Sequence, residues 1–159
     1  MNMLFRGIDR DRLAEVLAAG VDDGGNSIEP FVDDEGGWPL RCCLQDSTVG
    51  ERIAIIAWSP FDWSGRYRET GPIVVHVDPC PSPPLGLSRL PDALDARPMV
   101  LRPYSYDHRI VYALVTHLPS GGGVGAHVQR LLDHPDVAEV HGRNWTGGCY
   151  AFTAHRTDA

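Results

Sequence analysis

The chain has 159 residues, 43% of them hydrophobic and 22% charged, which is enough apolar surface for one globular domain and excludes disorder, collagen-like structure and coiled coil. Fourteen basic against twenty-one acidic residues give a formal net charge of −7, which argues against binding to nucleic acid or to an anionic membrane surface. Every basic residue is arginine, so Schiff-base chemistry, pyridoxal phosphate catalysis and a Walker A loop have no lysine nitrogen to use.

In chain order, Asp9 or Asp11 caps a short helix carrying Leu13, Val16 and Leu17, and Gly20 stops it. Loops follow at 22–27 and 33–37. A short strand is predicted at Leu40 to Leu44, and a stronger one at Arg52 to Trp58, whose run Ile53, Ala54, Ile55, Ile56 and Ala57 has no polar face and belongs at the centre of a sheet. From Ile73 to Asp78 the pattern alternates, with Ile73, Val75 and Val77 on one face and Val74, His76 and Asp78 on the other. Met99 to Tyr106 and Ile110 to Leu118 flank a two-residue turn at Asp107 and His108. Gly121 to Gly125 precede a helix over 124–133, and a second hairpin, Val137 to Arg143 with Gly148 to His155, ends the domain.

This order lacks the regular strand and helix alternation of a doubly wound fold, and it predicts an α+β domain. Its sheet is largely antiparallel, with an N-terminal helix and one late helix. One domain spans residues 1–159, with about 1–8 and 157–159 as loose ends. Two long irregular stretches, Ser59 to Pro72 and Pro79 to Pro91, flank the strand that holds His76 and read as binding walls.

The last hairpin gives the sharpest inference. Burying Val140 with Tyr150 and Phe152 places His141 and Cys149 together on the other face, because antiparallel partners project to the same side. A thiol beside an imidazole is the usual cysteine nucleophile. Cys149, His141 and Glu139 are therefore the candidate catalytic group, with Glu139 orienting the ring. Arg143, Arg102, Arg41, Asn144 and His76 are candidate substrate-binding residues, the arginines suited to a carboxylate or phosphate. A structural ion pair with Asp46 or Glu51 is the default for the strand-borne arginines Arg41 and Arg102.

Metal binding through His76, Cys80, Cys149 or His141 is the second candidate. Its spacing is weak: His76 and Cys80 lie about 13 Å apart in an extended strand, and Cys42 and Cys43, being adjacent, point to opposite faces of one. No metal is assigned from sequence. The SGGGVGAHV segment at 120–128 matches no nucleotide-binding pattern and reads as a connector, with free helix amides as its one anion-binding feature.

The segments WPLRCCLQDSTVGERIAIIAWSPF, GPIVVHVDPC, MVLRPYSYDHRIVYALV and VAEVHGRNWTGGCYAF, in order between residues 38 and 152, resemble the bacterial family DUF1203. Asn144, Gly148, Cys149 and Tyr150 look like its closing motif, and His108 stands where a turn glycine is expected. The resemblance implies a small single-domain bacterial protein and names no reaction.

The reading is a cytoplasmic protein with no cofactor, binding a small polar or anionic ligand beside the last hairpin, with a homodimer the one assembly left open and enzyme activity undecided. The alternative is a non-catalytic binding or interaction module, with a structural zinc.

Overall fold

The computed structural model describes residues 2–80 and 86–157. Two antiparallel sheets and three helices form an α+β domain. The larger sheet has the strand order β1-β8-β7-β5-β6, from β1 (Asn2–Arg6), β8 (Tyr150–Thr157), β7 (Glu139–Asn144), β5 (Met99–Tyr104) and β6 (Thr116–Leu118). The smaller runs β2-β3-β4, from β2 (Phe31–Val32), β3 (Arg52–Trp58) and β4 (Gly71–His76). The helices are α1 (Arg10–Ala19), α2 (Asp92–Asp95) and α3 (Val124–Leu132).

Local chemistry sets the helix ends as the sequence predicts. The Asp9 carboxylate accepts from the Arg12 N–H at 3.0 Å at the start of α1, and Gly20 ends it in the left-handed region at φ 73°. His108 sits at φ 63° in the β5 hairpin turn, the αL position at which histidine is tolerated.

Four expectations are corrected. Residues 2–6 are a fully paired edge strand against β8 and not a loose end, while residues 158–159 lie outside the described residues. Leu40 to Leu44 form a turn closed by Leu40 N–H to Gln45 O at 3.0 Å, leaving only a bridge from Leu40 to Val74. Strand β3 buries Ala54, Ile56 and Trp58 on one face, while the other face is covered at Ile53 and opens at Ile55, which is 52% exposed, so the strand is not apolar-packed on both sides along its length. The run Ile110 to Leu118 is broken by a single 3₁₀ turn at Tyr112–Leu114.

Two apolar cores result. One packs α2 and α3 on the outer face of the large sheet through Phe5, Leu101, Val128, Leu132 and Phe152. The other packs α1 and the 40–44 turn on the small sheet through Leu13, Leu40, Ile53, Trp58 and Val75. Residues 59–70 cross between the two sheets, where Phe61 and Trp63 reach β5 and β7.

Gly142 fixes how β7 meets β8. A Cβ there would lie 2.3 Å from Phe152 Cε1, and Phe152 is held from its other side by Phe5 in an edge-to-face pair at 5.5 Å. Gly142→Ala is expected to lower stability by about 1–3 kcal/mol in urea titration, and a Phe152→Leu change in the same chain to recover part of that loss.

Candidate functional site

The β7–β8 hairpin carries a bulge. His141 opposes Thr153 and Gly142 opposes Phe152, but Arg143 opposes Tyr150, so Ala151 is an extra residue. The bulge reverses the side-chain parity on which the predicted Cys149–His141 pair depends. Ala151 and Phe152 both enter the first core, and Tyr150 crosses to the second. The His141 ring packs on Tyr150, Phe61 and Tyr104, at centroid distances of 5.3, 4.9 and 4.8 Å. Neither of its nitrogens has a hydrogen-bond partner among the described residues, so no thiol lies within reach. Glu139 Oε1 comes within 3.3 Å of His141 Nε2, off the hydrogen-bonding direction, and accepts the Trp63 indole N–H at 3.0 Å.

The face shared by Arg102, Tyr104, Glu139, His141, Arg143, Tyr150, Thr153 and His155 is therefore polar, and its centre at Tyr104, His141, Arg143, Tyr150 and Thr153 is buried, with Phe61 and Trp63 of the 59–70 crossing packed on it. Tyr104 Oη, both His141 nitrogens, Nε and Nη2 of Arg143 and His155 Nδ1 are all buried without hydrogen-bond partners among the described residues. Buried polar groups are ordinarily satisfied, so such a concentration on one face marks a place for water or ligand.

The predicted binding arginines part company. Arg102 is taken by Glu69. Arg41 is 3% exposed, but Asp46 pairs with Arg97 and Glu51 with His76, so neither expected carboxylate reaches it. Burial brings Arg41 down to about 10. Arg143, 6% exposed, has no ion pair among the described residues. It lines a cavity of about 220 Å³ with Trp58, Glu69, Gly71, Cys149 and Tyr150. Asn144 closes the hairpin loop through its backbone, accepting from the Gly148 N–H at 3.0 Å. In the glycine segment before α3 the Gly125 N–H already donates to the Asp95 carboxylate at 2.6 Å.

A second cluster forms where sequence spacing argued against one. Cys42, Cys43, His76 and Cys80 bring one ligand atom each to within 4.8 Å of one another. Cys42 and Cys43 lie in a turn, not a strand, so both thiols reach the same point. Bends at Val77 and Asp78 fold Cys80 back toward His76. Leu44 at φ 60° bears a left-handed strain of about 1–2 kcal/mol that completes the turn. His76 Nδ1 lies 3.3 Å from Cys42 Sγ, which also accepts the His76 N–H at 3.4 Å, and His76 Nε2 meets the Glu51 carboxylate. The hydrogen bond from Cys42, with the Gln45 N–H and Cys80 adding to it, lowers Cys43 to about 6; Cys42 is pushed up by the same bond and by burial. Thr48 and His76 hold Glu51 below the usual carboxylate range against a smaller effect of burial.

Residues 37–156, which include both clusters, match the family described as "Protein of unknown function (DUF1203)". No curated protein and no solved structure matches the chain. Among the described residues no helix is long and apolar enough to cross a membrane.

Burial holds the His141 imidazole below its ordinary value, with Glu139 offsetting part of the effect. The unfolded chain then takes up a proton near pH 6.5 that the native state refuses, so stability falls as pH drops below that point by at most about 1.4 kcal/mol per unit. Urea titrations between pH 5 and 8 are expected to show a shallower loss in His141→Phe than in the unaltered protein.

On this matched span the chain belongs to the DUF1203 family, whose description assigns no function.

Proposed function

We propose that this protein is a zinc-binding module, in which Cys42, Cys43, His76 and Cys80 form a closed Cys₃His site. The observation that carries the reading is the convergence of four ligand atoms within 4.8 Å. Around zinc, thiolates at about 2.3 Å stand about 3.8 Å apart at tetrahedral angles, so the cluster needs little adjustment to close on an ion. Three soft thiolates and an imidazole suit zinc, while hard oxygen-seeking cations are poorly served.

Glu51 supports the reading independently. With Nδ1 turned to the thiols, Nε2–H of His76 donates to the carboxylate, the arrangement that orients a metal-bound imidazole and raises its basicity. A cavity of about 490 Å³ between α1 and residues 76–80, bordered by Leu13, Leu17, His76 and Cys80, supplies an entry path. Four protein ligands leave no open position for a reacting water, so the ion's role is structural: it joins the 40–44 turn to the end of β4 and the chain beyond. This favours a non-catalytic binding module over a thiol enzyme, whose Cys149–His141 pair does not form.

Protein purified from zinc-supplemented culture is expected to hold one zinc per chain, and the cobalt form to show thiolate-to-metal charge transfer with tetrahedral ligand-field bands. Cys43→Ser or Cys80→Ser removes those bands, and Cys149→Ser leaves them unchanged. Glu51→Ala weakens zinc about 10- to 100-fold in chelator competition. Metal-free protein whose Cys42, Cys43 and Cys80 alkylate as fast as Cys149, and which stays metal-free after zinc addition, overturns the reading.

A further inference from the structure

We infer that the cavity beside Arg143 is a receptor for a small oxyanion, a carboxylate or phosphate group held by the unpaired guanidinium of Arg143. This site is separate from the metal cluster and goes beyond the zinc reading. Arg143 is 94% buried by its 6% exposure, lines the cavity, and keeps Nε and Nη2 without a partner among the described residues. A buried cation with no counter-charge is unstable unless something anionic completes it. Guanidinium offers its donors in a planar fork that matches the two oxygens of a carboxylate or phosphate.

The surrounding charges agree. Arg41, Arg102 and Arg143 lie around Tyr150 and Tyr104, and Glu69 is the one acidic side chain among the described residues that line the cavity. Arg102 already neutralises Glu69, which leaves Arg143 as the cation lining the cavity with no counter-charge among the described residues. An unpaired guanidinium in a chain of net charge −7 runs against the overall balance, and it sits at the buried end of a cavity whose mouth at Glu69, Thr70 and Gly148 is open to an entering anion. At about 220 Å³ the space lies below the range for drug-sized ligands, so the occupant is a single small anion and not a nucleotide. Cys149 lines the same space and is partly exposed, which makes its thiol a reporter of occupancy.

The test follows alkylation of Cys149 by iodoacetamide, read by peptide mass spectrometry, at constant ionic strength with inorganic phosphate, succinate or chloride. Phosphate or succinate is expected to slow Cys149 saturably and chloride not to; which of the two protects identifies the head group. Arg143→Met is expected to abolish the protection while leaving anion-free stability unchanged or raised, since an unpaired buried charge is removed. Glu69→Gln, which frees Arg102 and deletes the competing carboxylate, is expected to tighten the protecting anion severalfold. Equal alkylation rates in all three salts, protection that survives Arg143→Met, or no tightening in Glu69→Gln overturns the proposal. Zinc content stays constant in both variants, so failure here is distinguishable from failure of the metal reading.

Discussion

Inserting Ala151 into β8 makes two residues of that strand oppose one of β7, and the alternation of side chains along the rest of the hairpin shifts with it. Tyr150 leaves the core beneath α3 and joins the core beneath the small sheet, bringing its ring against His141 and near Arg143. Its hydroxyl shares a hydrogen bond with Thr153 at 2.8 Å, and burial pushes the phenol up to about 12. The inner face of the large sheet is thus lined with titratable and hydrogen-bonding groups, yet it is covered by Phe61, Trp63 and the small sheet. An interior of this kind is tolerable only where its polar groups find partners, and several of them find none among the described residues.

Strand β4 connects the two chemical centres. Gly71 borders the Arg143 cavity and His76 belongs to the sulfur cluster, so a six-residue strand spans the roughly 17 Å between them. The turn at residues 40–44 makes a second link, because Arg41 and Cys42 are neighbours that serve different centres. An ion held by Cys42, Cys43, His76 and Cys80 would fix both the end of β4 and that turn, and would thereby set the position of Arg41 beside Tyr150. Folding free energy gained from such an ion at one end would in this way help to place charge at the other.

Much of the fold was legible locally. The caps of α1, the αL histidine, the boundaries of β3, the existence of β4, β7 and β8 to within two residues at their ends, and the start of α3 follow from short-range rules that need no knowledge of neighbours. The candidate sites were legible only in part. Arg143 was visible as a candidate anion-binding residue but not as a buried one, and the Cys149–His141 pair rested on uninterrupted alternation. The bulge that breaks it depends on Gly142, whose missing side chain makes room for the Phe152 ring across the strand. Cys42 and Cys43 were misread through the assumption of a strand, although Pro39 and the polar run after Leu44 were available as a turn signal.

By itself the sequence determined the class of domain, the exclusion of lysine chemistry, the local caps and turns, and a supply of thiols, imidazoles and guanidinium groups. Tertiary structure alone decided which of these meet. Periodicity and propensity act over a few residues along the chain, whereas a four-ligand cluster drawn from positions 42 to 80, or a guanidinium left unpaired between two sheets, is set by contacts between distant segments and by which carboxylates other arginines have already taken.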